Sequence, residues 1–135
     1  MKRSIFISDA PHPLASYSQA ILADNTLYIS GQIGIDPYTG EFVEGGPVDQ
    51  LKQIMKNIKA ILKEVDMDFN HIVKVSLFLS DMKLYNDINQ VYAEYFVHDP
   101  PARETVAVAG LPKNADVDLS CIAIRLPEKE VLSVH

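Results

Sequence analysis

Residues 99 to 112 read DPPARETVAVAGLP, a single arginine set behind two prolines and ahead of a run without charge. A planar guanidinium matches a carboxylate or a phosphate bidentately, and a rigid approach would hold it still. Thr105, Ala107 and Ala109 are small, which leaves room beside Arg103 for a ligand. The competing use is a surface ion pair with Glu104 or Asp99. Asp118 is the second candidate. In VDLSCIAI, Val117, Leu119, Cys121 and Ala123 share one strand face, and Asp118 shares the other with Ser120 and Ile122. A half-buried carboxyl there would titrate above its ordinary range and suit acid–base work, whereas a solvent-edge aspartate would do nothing of the kind. Tyr17 in SYSQ and Ser30 in YISGQIG are polar groups inside strand-like patterns, open either to a ligand or to a backbone neighbour. Gly31, next to Ser30, permits a close backbone approach or a bulge.

Other chemistries lack their residues. His12, His71, His98 and His135 show no ligand spacing, and one cysteine makes no zinc set, so no metal site is expected. Cys121 has no basic neighbour to activate it, reads as a buried structural thiol, and can form no internal disulfide. There is no P-loop, no GxGxxG and no nucleophile elbow, and SGQIG does not open a helix. With 12 basic against 18 acidic residues the net charge is −6. That balance gives no footprint for nucleic acid, and Lys52, Lys56, Lys59 and Lys63 read as the wet side of a helix. The first residues lack the apolar core of a signal peptide and no later run could span a bilayer, so a cytoplasmic location and no membrane partner are expected.

The elements that must position these side chains fit one domain over all 135 residues. Strands are predicted at 16–23 and 26–35 about an Asp24-Asn25 hairpin turn, with a second reversal at 36–41 and a short return strand at 41–43. Pro47 opens a helix whose Leu51, Ile54, Met55, Ile58, Ile61, Leu62 and Val65 keep the 3, 4, 7 spacing of a buried stripe. A strand follows at 71–80, with Val73, Val75, Leu77 and Leu79 expected on one face and Ile72, Ser76 and Phe78 on the other. Asp81 caps a second helix striped by Leu84, Ile88, Val91, Tyr92, Tyr95 and Phe96. Strands at 103–110 and 116–126 complete a two-layer α+β domain of order β-β-β-α-β-α-β-β, and residues 126–135 form a loose tail. Two helices cover only one face of such a sheet, so the chain is expected to be a homo-oligomer whose copies close the other face and bound a ligand site.

YSQAI (17–21), YISGQIGIDPYTGE (28–41), NDINQVYAEYF (86–96) and PPARETVAVAGLPKNADVDL (100–119) together resemble the RidA/YjgF family of reactive-intermediate deaminases, also labelled the endoribonuclease L-PSP family. The resemblance implies a chorismate-mutase-like fold, a homotrimer with pockets between subunits, and hydrolysis of 2-imino acids or their enamine tautomers to 2-keto acids and ammonia. It implies no metal or organic cofactor. Carried over by position, Arg103 grips the substrate carboxylate. Tyr17, Ser30 and the Gly31 backbone line the pocket, and the Thr105 carbonyl holds the imine nitrogen. Asp118 stands where the family usually has a glutamate that orients the attacking water. A non-catalytic carboxylate binder would use the same arginine pocket. A ribonuclease, suggested by the older label, conflicts with the acidic balance and the lack of paired histidines.

Overall fold

The computed structural model describes residues 1–126, so the expected tail lies, beyond Leu126, outside the described residues. Its elements are β1 (Lys2–Ile5), β2 (Ala20–Ala23), β3 (Thr26–Gln32), α1 (Pro47–Glu64), β4 (Ile72–Leu79), α2 (Tyr85–Tyr92), β5 (Ala102–Ala107) and β6 (Val117–Ile124). The strands form a six-stranded sheet in the order β1-β2-β3-β6-β4-β5. Every neighbouring pair is antiparallel except β4 and β5, which run parallel and are joined through α2. No helix of the described residues is long and apolar enough to cross a membrane.

The expected element order is observed, but the strands expected at 16–23 and 26–35 are the second and third, β2 and β3, and the first is β1. β1 was not anticipated, because only Ile5 of Lys2–Ile5 is buried and the strand lies at the sheet edge. The return strand at 41–43 is a single bridge, Ile35 to Phe42, closing the turn in which Gly40 takes φ 75°. The strand predicted from residue 16 begins only at Ala20. What precedes it is a loop held by Gln19, which is 1% exposed. Its Nε2 lies 3.0, 3.1 and 2.9 Å from the carbonyl oxygens of Ile7, Ala10 and Pro11, and its Oε1 accepts the Ile7 N–H. A buried amide so fully paired fixes the 7–11 segment against the loop that presents Tyr17. The Asp24-Asn25 turn forms as expected, between the paired residues Ala23 and Thr26, with Asp24 at φ 52°.

The helix stripes are as the spacing dictates. Leu51, Ile54, Met55, Ile58, Ile61 and Leu62 of α1 are buried, and the lysines on its other side are exposed. The Gly46 N–H donates to the Asp49 carboxylate at 3.1 Å, closing the N-terminal turn behind Pro47. Asp81 caps as predicted, accepting the Lys83 N–H at 2.8 Å, but through a 3₁₀ turn (Met82–Leu84) that leads into α2. These helices cover the face carrying Leu27, Ile29, Val75, Leu77, Leu79, Val117, Leu119, Cys121 and Ala123. Each large side chain among them contributes about 1.5–3 kcal/mol by burial.

On β4 the alternation slips once. Between Ile72 and Lys74 the register against β6 shifts, so Ile72 is buried and Val73 is 44% exposed, the reverse of the expected faces. One extra residue in a bulge moves a side chain to the other side of a sheet. The remaining face of the sheet has no helix of the described residues over it. It shows Tyr28, Phe78, Val106, Ile122 and Ile124 among Lys74, Ser76, Glu104, Asp118 and Ser120, and Tyr28 is 48% exposed.

Candidate functional site

Asp118 and Gly31 form one contact. The ladder between β3 and β6 shifts register between Ile29 and Gln32, which places Ser30 and Gly31 in the irregularity. A Cβ added to Gly31 would stand 2.6 Å from Asp118 Oδ1, closer than side chains tolerate, so the carboxyl occupies the space that glycine leaves. Burial pushes the Asp118 carboxyl up to about 6. The chain thus keeps a carboxyl poised to exchange protons near neutrality on the uncovered face of the sheet. Gly31→Ala is expected to displace that carboxyl. A reaction that uses this carboxyl should slow at least about tenfold, since misplacement of an acting group by about 1 Å costs up to a hundredfold.

Ser30 and Tyr17 complete this group from the loop side. The Ser30 hydroxyl donates to the Ser18 carbonyl at 2.6 Å and the Ser30 N–H to the Gln19 carbonyl at 3.0 Å. The serine therefore ties β3 to the loop carrying Tyr17. The Tyr17 hydroxyl accepts the Leu14 N–H at 3.1 Å, while the side chain stays 43% exposed. Tyr17 and Gly31 line one small notch, together with His12, Leu14, Gln19 and Gln32.

Arg103 lies on the other side of the sheet. β5 pairs in parallel with β4, Arg103 opposite Val75 and Thr105 opposite Leu77, so both side chains share the face of the buried Val75 and Leu77. Glu104 points the opposite way, where Lys74 Nζ meets it at 3.1 Å and the Ser76 hydroxyl donates to it at 2.9 Å. These contacts, Lys74 first, hold the Glu104 carboxyl below its ordinary value. The surface pair between Arg103 and Glu104 therefore does not form, and among the described residues no carboxylate pairs with Arg103. Its guanidinium lies instead 4.6 Å from the centroid of the Tyr92 ring, and Nη2 donates to the Tyr85 hydroxyl at 3.5 Å.

Main-chain geometry adds a second point on β5. The Val108 N–H donates to the Leu79 carbonyl, which fixes the phase of the parallel ladder. In such a ladder alternate residues turn their N–H and C=O toward the neighbour, so Arg103, Thr105 and Ala107 present theirs on the free edge of the sheet. The Thr105 carbonyl is thus available to a ligand, while its Oγ1 is buried with no hydrogen-bond partner among the described residues.

The structure brings the six candidates into two groups. Tyr17, Ser30, Gly31 and Asp118 gather at the β3–β6 irregularity. Arg103 and Thr105 lie on β5, their side chains on the helix-covered face and Asp118 on the uncovered one. A concavity of about 850 Å³ lies elsewhere, between α1 and the segments 6–9 and 36–38, and contains none of the six. Among the described residues no group of three or more His, Cys, Asp or Glu could hold a metal ion. The residues not anticipated for the site are Tyr85 and Tyr92. Tyr92 had a place in the buried stripe of α2, and its seven-residue spacing from Tyr85 was the available signal that both face one way.

Comparison with known proteins bears on this geometry. The family model described as Endoribonuclease L-PSP matches residues 7–125. A Homo sapiens protein named 2-iminobutanoate/2-iminopropanoate deaminase is 42% identical over 127 residues, covering 94% of this chain and 93% of the relative. The crystal structure of RidA from a Psychrobacter species superposes with a TM-score of 0.87 at 37% identity, over 91% of this chain and 99% of that one. That of Escherichia coli TdcF with bound serine gives 0.87 at 31% identity, over 92% and 99%. With a six-stranded mixed sheet under two helices and a match over nearly its whole length, the chain belongs to the RidA/YjgF/L-PSP family.

Proposed function

We propose that the protein is a 2-imino acid deaminase, hydrolysing reactive imine or enamine intermediates such as 2-iminobutanoate and 2-iminopropanoate to 2-keto acids and ammonia. The observation that carries this reading is Asp118, a carboxyl seated against Gly31 and titrating near 6, in a chain 42% identical to a protein named for that reaction. Serine bound to TdcF supports a small amino-acid-like carboxylate as the ligand class.

The chemistry asks little beyond placement. The protonated C=N carbon is electrophilic, so the site must orient the substrate and supply a positioned water. Arg103 holds the carboxylate through two parallel N–H donors, and the Thr105 carbonyl accepts a hydrogen from the iminium nitrogen. The Asp118 carboxylate takes a proton from the water as its oxygen bonds to the imine carbon. It returns that proton to nitrogen, and as the C–N bond breaks the adduct's remaining hydroxyl proton passes to the Asp118 carboxylate and on to solvent, leaving ammonia and the keto acid. Tyr17, Ser30 and Gly31 form the wall beside the carboxyl.

Within one chain Arg103 and Asp118 lie on opposite faces of the sheet, so one substrate is not flanked by both. We place the pocket between copies of a homotrimer, Arg103 and Thr105 of one copy meeting Asp118 and Gly31 of the next, with the uncovered sheet faces packed together. The buried single thiol, raised to about 12 by burial, fits a cytoplasmic protein that needs no disulfide. The test is complementation. Arg103→Ala and Asp118→Asn chains, each inactive alone, are unfolded together and refolded as a mixture. A site shared between copies restores about a quarter of wild-type turnover, since half the arginine contributors and half the aspartate contributors are intact. No recovery from a mixture that has reassembled would place both residues in one chain's site.

A further inference from the structure

We infer that α2 is the mount of the carboxylate clamp, with the ring face of Tyr92 and the hydroxyl of Tyr85 acting as positioning groups for Arg103. The inference rests on the proposed function and adds to it the elements that hold its arginine. Tyr85 and Tyr92 are seven residues apart on α2, two turns, and so lie on one side of the helix. Their ring centroids are 5.9 and 4.6 Å from the Arg103 guanidinium carbon. Both distances fall within the range over which the negative face of an aromatic ring attracts a cation.

The Tyr92 ring is itself held. It is 7% exposed and packs against Phe96 at 4.7 Å between centroids. Phe96 meets Phe69 edge-on at 6.0 Å, and Phe69 meets Tyr95 edge-on at 5.6 Å. A guanidinium lying on a ring so fixed keeps its plane, and plane is what a bidentate grip on a carboxylate requires. The two tyrosines contribute differently. No hydrogen bond to the Tyr92 hydroxyl forms among the described residues, and the guanidinium carbon lies 4.6 Å from the ring centroid, so it is the ring face that acts. The Tyr85 hydroxyl accepts from Arg103 Nη2, and its ring stands farther off. Hydrogen bonding from Asn89 first, and then the charge of Arg103, lowers the Tyr85 phenol below its ordinary value. No carboxylate of the described residues competes for the guanidinium, which leaves its charge to a ligand.

The test uses the full-length protein and 2-oxobutanoate as the carboxylate probe, titrated by calorimetry, beside steady-state imine hydrolysis. Tyr92→Phe keeps the ring and should bind 2-oxobutanoate within about twofold of wild type. Tyr92→Leu should weaken binding roughly tenfold and raise KM by the same factor, with kcat changed less than about threefold. Tyr85→Phe should cost about two- to fivefold, again in KM. Because Tyr92→Leu opens an aromatic core, a second series keeps the shape: at position 92, phenylalanine carrying one, two and three ring fluorines. Affinity should fall stepwise as fluorine withdraws charge from the ring face. A flat fluorine series while Arg103→Ala loses binding would overturn the role of the ring and leave the clamp standing. Wild-type binding by Arg103→Ala would overturn the clamp itself, and the mount with it.

Discussion

Arg103→Ala is expected to abolish keto acid formation from a dehydratase-generated imine, and 2-oxobutanoate should no longer bind it at millimolar concentration. Truncating one partner of a hydrogen-bonded charge pair costs about 2–5 kcal/mol, a factor of thirty to several thousand in binding. The loss here belongs at the upper end. Without the clamp the imine carbon has no fixed distance from the water, so orientation fails together with affinity. The fold should be unaffected, because Arg103 stands on an edge strand and forms no ion pair with a carboxylate of the described residues. Its platform keeps the Tyr92–Phe96 stacking in the mutant. Turnover unchanged in a folded Arg103→Ala protein would remove the deaminase reading.

Asp118→Asn separates catalysis from stability, in opposite directions. Turnover should fall about 10²–10⁴-fold, the usual contribution of a general base, while 2-oxobutanoate still binds through Arg103. In wild type the rate should rise as the carboxyl ionises, through an inflection near pH 6, and the asparagine variant should lack that inflection. Stability follows the same titration with the opposite consequence. The folded carboxyl titrates near 6 against an ordinary value of 3.8, so between these pH values the folded chain keeps a proton that the unfolded chain has released. Stability therefore falls as pH rises from about 4 to about 6 and stays lowered above it. Asparagine carries no charge to desolvate. The thermal midpoint of Asp118→Asn should lie above wild type at pH 8 and coincide with it at pH 4. A midpoint lowered equally at both values would show that the carboxylate is satisfied where it sits.

The sequence revealed the helices because their stripes are long. Seven apolar residues at helical spacing from Leu51 to Val65 admit one reading. It revealed Asp118 because strict alternation along Val117–Ile124 separates buried from half-buried residues without a slip. It hid β1, whose polar Lys2, Arg3 and Ser4 are exposed and whose pairing is with β2 alone. It hid the reversal of Ile72 and Val73, because a bulge is a property of two strands and alternation is read along one. The same limit applies to the site. Alternation placed Arg103 with Thr105 and Asp118 with Ser120, each within its own strand. Which strand faces would coincide depended on the ladders through β4, Val75 opposite Arg103 and Phe78 opposite Asp118. The separation of the two groups onto opposite faces emerges only from those ladders.

Strand order also governs when the site can exist. β6 is the last strand of the described chain, yet it stands between β3 and β4. The meander β1–β3 carries Ser30 and Gly31, and the β4–α2–β5 unit carries Arg103. No strand of the first pairs with a strand of the second except through β6, which brings Asp118 as it joins them. In a nascent chain the strands of the two halves therefore have no ladder between them until Val117–Ile124 has been made. Contacts this distant in sequence form late in folding. Truncation anywhere before β6 removes the acid and the seam together. The joining of the sheet and the arrival of Asp118 beside Gly31 are a single event.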